Sequence, residues 1–177
     1  MKKIVTTFFI LFVAKIGFAQ AYLISVKAKG YTKGLTYFTY YNGSNLNIQD
    51  SGIIKKDGSI TFAGKTKLLG GIYVLVLPDR RRVDFLIDKE QKITIKLDSA
   101  DLVYKTVITG SKENIVYQQY QKTVTTKGRL RDAEGKAYLA STTKADSILH
   151  ENKYNAYSNE MSVYRESIVK NQPESMM

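Results

Sequence analysis

The chain has no cysteine and no tryptophan, and only one histidine and two prolines among its 177 residues. Without cysteine there is no disulfide, no zinc-thiolate site and no thiol redox chemistry in these residues. A single histidine, His150, cannot form a typical zinc site without further ligands. A Ser-His-Asp hydrolase has no support either, because no G-x-S-x-G elbow accompanies the many serines. No catalytic, cofactor-binding or metal-ligating residue is therefore assigned, and the chain is read as a non-enzyme with no cofactor. Acids are also sparse: 16 against 27 lysines and arginines, a formal charge of +11. The positive residues are spread through nearly every segment, so this excess speaks to solubility and non-specific attraction more than to nucleic acid.

Long apolar runs are absent except at the start. "MKKIVTTFFILFVAKIGFA" places two lysines before a run from Ile4 to Ala14 that Lys15 interrupts. That is too short for a spanning helix and matches a signal peptide over residues 1–19, with Ala19 or Ala21 as the last residue before cleavage. Its removal takes three lysines and no acid, leaving +8. The expected location is outside the cytoplasm: the periplasm first, with secretion or the cell surface as alternatives. With no cysteine after the signal, a lipid-anchored form is excluded, and no membrane span is expected in the mature chain.

From Tyr22 to Thr109 the sequence has the punctuation of an antiparallel β protein, with short runs of Val, Ile, Thr, Tyr and Phe between turn residues. "YLISVKAKG" alternates Ile24, Val26 and Ala28 with Ser25 and Lys27, as a strand with one buried face requires. "NGSN" reads as a two-residue hairpin loop with Asn42 and Gly43 in left-handed conformations. "PDRRR" reads as a turn begun by Pro78 and Asp79, its arginines in water. Seven or eight strands without an intervening helical pattern predict an antiparallel β-sandwich or a partly closed barrel over residues 20–110.

At Gly110 the period changes. Ser111 can cap a helix beginning at Lys112, which Gly128 ends or weakens. A longer helix spans Lys144 to Lys170, with Tyr154, Tyr157, Met161, Tyr164 and Ile168 as a packing seam. Two helical segments thus occupy residues 111–177.

The stretch "DSGIIKKDGSITFAG" at 50–64 raises the question of an ion or phosphate loop. A calcium loop needs acids two and four positions before Asp57, where Lys55 and Ile53 stand. A phosphate cradle ending at "GKT" needs a glycine where Ser59 stands, and a helix behind it. The stretch is better read as a β-hairpin, with Gly58 at positive φ and Ile60 and Phe62 facing the core. "NGS" also matches a glycosylation acceptor, a common chance triplet. The thirteen tyrosines could form a sugar-stacking platform, although cross-strand packing also calls for them.

Several of these pieces, taken in order, resemble a known family. Gly30, Asp50-Ser51, "DGSITFAG", Tyr73, "DFLIDKEQKITIKLD" and "VITGSKENIVYQQY" resemble the N-terminal β domain of unknown function in exported Gram-negative thioredoxin-like and peroxiredoxin-like thiol:disulfide oxidoreductases. In that family a helical connector and then a thioredoxin fold follow. The resemblance covers residues 20 to about 120, and the connector's look continues from there, but the thioredoxin domain is missing. It implies a truncated or stand-alone accessory module whose partner is a thioredoxin-like domain or protein, met through the helical region. The alternative reading is a periplasmic or surface carbohydrate- or ligand-binding sandwich.

Overall fold

The computed structural model describes residues 20–171; the expected signal segment and the residues after 171 lie outside them. Eight strands precede two helices: β1 (Tyr22–Lys29), β2 (Leu35–Asn42), β3 (Asn45–Ile53), β4 (Ser59–Gly64), β5 (Gly71–Val76), β6 (Arg82–Ile87), β7 (Lys92–Asp98), β8 (Val107–Thr109), α1 (Lys112–Ala140) and α2 (Lys144–Asn171). The strands form two four-stranded sheets, β4-β1-β7-β8 and β3-β2-β5-β6, stacked as a sandwich without barrel closure.

The period-two alternation decides which side chains meet between the sheets. Ile24, Val26 and Ala28 of β1 are buried, as are Ile93, Ile95 and Leu97 of β7. From the other sheet come Phe38, Tyr73, Leu75, Val83, Phe85 and Ile87. Phe38 sits at the centre. Its ring centroid lies 5.3 Å from Phe62 and 6.2 Å from Tyr22 in one sheet, and 5.2 Å from Tyr73 and 5.9 Å from Phe85 in the other. It therefore joins both halves of the core.

Four local readings are refined by the structure. β1 and β7 pair in parallel, Leu23 beside Lys92 through Lys29 beside Asp98, within an otherwise antiparallel pattern. The turn in "DSGIIKKDGSITFAG" has Gly58 at φ 79 and buried Ile60 and Phe62, as expected. Its strands do not form a hairpin, however: β3 pairs with β2 and β4 with β1, so the segment arches from one sheet to the other. In the hairpin joining β2 and β3, Asn42 pairs with Asn45 as strand, and only Gly43 takes positive φ, 61°. The strand-like run that ends at Thr109 is also shorter than its "VYKTVIT" composition suggests: β8 is only three residues long, since Val103 to Lys105 belong to a turn.

Ser111 caps α1 as its position suggests: its backbone is extended and its hydroxyl accepts from the Asn114 N–H at 3.3 Å. The helix then passes through Gly128 without ending. Twenty-nine residues make it about 43 Å long at 1.5 Å per residue. Residues 141–143 turn the chain back, and Thr143 caps α2 reciprocally with Asp146, its hydroxyl accepting the Asp146 N–H at 3.1 Å and donating to the carboxylate at 2.7 Å. Met161 is the buried centre of the expected seam, whereas Tyr154 is exposed. Among the described residues, no helix is long and apolar enough to cross a membrane.

Candidate functional site

Two side-chain amides fasten α1 to the sandwich. Asn114 is fully buried; its Oδ1 accepts from the Leu86 N–H at 2.8 Å and its Nδ2 donates to the Leu86 carbonyl at 2.8 Å. One turn on, the Gln118 Oε1 accepts from the Ile108 N–H at 3.0 Å and its Nε2 donates to the Thr106 carbonyl at 2.8 Å. Leu86 and Ile108 lie on β6 and β8, the edge strands of the two sheets on this side. Each amide thus copies the pairing a further strand would supply, which protects an edge that otherwise exposes unpaired N–H and C=O groups.

This attachment places α1 along β6 and β8, at the edge where the outer face of the second sheet begins. Thr39, Val74 and Asp84 are register neighbours on that face. Thr39 and Val74 are buried although they alternate with core-facing residues, and Asp84 is half-buried. Between β6, the loop at 99–106 and α1 opens a cleft of about 370 Å³, whose lining includes Tyr41, Arg82, Asp84, Gln118, Tyr120 and Gln121. The loop wall is held in place. Asp101 Oδ1 accepts from the Val103 and Tyr104 N–H groups at 3.0 Å each, the Tyr104 hydroxyl bonds Thr126 at 2.8 Å, and the Arg129 guanidinium lies 5.1 Å from the Tyr104 ring centre. The helix wall is ordered by stacking: Tyr120 lies 6.4 Å from Tyr117 and 6.1 Å from Tyr164, with both pairs tilted by 15°.

The cleft's electrostatics are unusual for a packed surface. Burial raises the Asp84 carboxyl above its ordinary range, and the Arg82 charge opposes that rise. Burial, helped by the Asp84 charge, pushes the neighbouring Tyr117 phenol up to about 12. Among the described residues, Asp84 receives no hydrogen bond in this region and the Arg82 guanidinium donates none.

The residues singled out in sequence lie elsewhere. Asp57 faces no ligand space: its carboxylate accepts from the Ser59 hydroxyl at 2.7 Å, the Ser59 N–H at 3.0 Å and Lys27 Nζ at 3.1 Å, which together hold it well below the usual carboxylate range. It closes the turn around Gly58. His150 Nδ1 lies 2.6 Å from Glu134 Oε2, tying α2 to α1. Among the described residues, no cluster of three or more histidine, cysteine, aspartate or glutamate side chains could hold a metal ion. The "PDRRR" arginines are exposed, as expected, but Arg81 is also held in place. Arg81 donates to Asp79 Oδ2 at 2.8 Å, the Tyr31 hydroxyl at 2.9 Å and the Ser99 carbonyl at 2.6 Å, joining three loops at one end of the sandwich.

Residues 22–117, more than half of the chain and the whole sandwich with the first turns of α1, match the family described as a domain of unknown function (DUF4369). The chain belongs to this family. No curated protein matches it. Among solved structures, a 5-hydroxyisourate hydrolase of Klebsiella pneumoniae is similar over 52% of this chain and 95% of its own, at 16% identity and a TM-score of 0.30. A likeness that weak carries no functional argument.

The DUF4369 segment ends between the two anchors, so the match takes in the sheets and Asn114 but stops one residue short of Gln118. Sequence reasoning found Asn114 only as one letter in "GSKENIVYQQY". A polar residue three positions after a cap, on the side of the helix that begins the apolar stripe, is the available signal for a buried anchor. The cleft itself had none: Asp84, Tyr41 and Gln121 come from separate segments, which only the sheet order brings together.

Proposed function

We propose that this DUF4369 chain is a non-catalytic, exported interaction module, with the periplasm as its location and a thioredoxin-like domain or protein as its partner. The carrying observation is the helical hairpin. α1 and α2 pack on each other and are fastened to the sandwich at the base of α1, while Leu139, Ile148 and Leu149 around the distal turn are 83%, 47% and 49% exposed. Beside them, Gly135, Tyr138 and Tyr154 border a shallow groove of about 360 Å³. Grouped exposed apolar side chains at the end of a stiff arm suit a protein contact. The choice of partner rests on the resemblance, in which a thioredoxin fold follows the same β domain and connector.

The test is calorimetric titration of the full chain with a thioredoxin-fold oxidoreductase from the same envelope. Saturable binding that Leu139→Asp and Leu149→Asp weaken is expected, and no acceleration of insulin disulfide reduction over a blank. Absence of binding, or reduction of insulin by the chain alone, would overturn the reading.

A further inference from the structure

We propose that the cleft between β6, the 99–106 loop and α1 binds a neutral sugar ring, whose hydroxyls bridge Asp84 and Arg82 while Tyr41 contacts its C–H face. The inference is independent of the hairpin contact above.

Arg82 and Asp84 stand two residues apart on β6, so they share the outer face of the sheet. Both line the cleft, and neither is hydrogen-bonded there among the described residues. Asp84 is half-buried, with the Arg82 charge alone offsetting its desolvation, so its carboxylate keeps full capacity to accept hydrogen bonds from a ligand. A cationic ligand would satisfy Asp84 and be repelled by Arg82; an anionic ligand would meet the opposite pair of forces. A hydroxyl group both donates and accepts, so vicinal hydroxyls can give a proton to the carboxylate and receive one from the guanidinium.

The walls fit the same ligand. Tyr41 is 41% exposed, leaving ring surface free for the apolar face of a pyranose. Gln118 is committed at both ends of its amide to Ile108 and Thr106 and stays fixed. Gln121 adds a polar group to the same wall. The stacked Tyr120 and the pinned Tyr104 loop hold the walls before any ligand arrives, which lowers the entropy lost on binding. At about 370 Å³ the space lies within the range of small-ligand clefts.

The experiment titrates the full chain with glucose, galactose, mannose, N-acetylglucosamine and short oligosaccharides of each, following backbone amide resonances by NMR. Saturable shifts at residues 82–84 and 118–125 are expected. Asp84→Asn should weaken the binding by about tenfold or more, as loss of a charge-assisted hydrogen bond does. Tyr41→Ala should also weaken it, and Leu139→Asp should not. The melting temperature of Asp84→Asn should equal or exceed that of the parent, so lost binding cannot be assigned to lost folding. No saturable binding of any of these sugars overturns the proposal, as does unchanged binding by Asp84→Asn. Binding of spermidine or of a short peptide in place of every sugar would assign the cleft to a different ligand class and overturn it equally.

Discussion

Replacing Asn114 by alanine removes both hydrogen bonds to Leu86 and leaves the N–H and C=O of a buried strand residue without partners. Each orphaned group costs roughly 1–3 kcal/mol, so the substitution should destabilise the fold by about 2–5 kcal/mol. That is a large part of a stability of about 5–15 kcal/mol. The Ser111 cap survives the change, because it uses the Asn114 backbone, so the loss is not a capping effect. Asn114→Leu separates volume from bonding: it refills the space, yet still strands Leu86, and should recover only a minor part. Urea unfolding followed by far-UV circular dichroism gives the free energy and its denaturant slope, and hydrogen exchange at the Leu86 amide reports the local bond. Gln118→Ala, at a half-buried site, should cost less than Asn114→Ala. A loss below about 1 kcal/mol for Asn114→Ala at unchanged slope, with Leu86 exchange unaltered, would refute the account of α1 as anchored through a strand-like amide.

Further outcomes follow from other positions. Gly58→Ala must hold a side chain at φ 79 with its Cβ 2.6 Å from the Ala28 carbonyl oxygen, so it should lower stability by roughly 1–3 kcal/mol in the same urea assay. Gly128→Ala meets open space inside a helix and should raise stability by about 0.5–1 kcal/mol. Tyr117 keeps its proton in the folded state after an unfolded tyrosine would lose it, so its contribution is whole below about pH 10 and fades as pH rises towards about 12. Tyr117→Phe should flatten that alkaline fall, seen in urea midpoints across this range. Asp57 shows the opposite sign: its lowered pKa gives stability above about pH 4 that disappears with acidification, and Asp57→Asn should reduce the acid dependence.

The parts of the fold legible in sequence are those controlled by neighbours along the chain. The buried face of β1, the Gly58 turn, the Ser111 cap and the start of α2 each depend on a few adjacent residues. Gly128 misled because its helix penalty is only about 1 kcal/mol, less than the packing of α1 against α2 can offset. The arch between β3 and β4 carries a hairpin's sequence signature because the local turn chemistry of Asp57-Gly58 is the same in both; only the choice of partner strand differs. Arg81 is exposed as its turn suggests, but its role as a tie between loops is invisible locally because Tyr31 and Ser99, which it bonds, lie far away in sequence. Asp84 carried no sequence signal for the same reason: its importance comes from Arg82, Tyr41 and α1 converging on one opening.

The parallel pairing of β1 with β7 has a consequence for how the chain acquires its structure. β1 lies between β4 and β7, and its partner Lys92 stands sixty-nine positions after Leu23. β1 can pair with β4 once residue 64 has been made, but its other edge, and β8 beyond it, must wait until β7 completes almost the whole sandwich. Long-separation contacts of this kind slow folding, because a large loop must close before the pairing stabilises anything. Until then β1 exposes Ile24 and Val26 beside an open edge, the state most exposed to aggregation. Chains halted before residue 92 should remain non-native and bind a holdase, whereas those extended through β8 should collapse cooperatively.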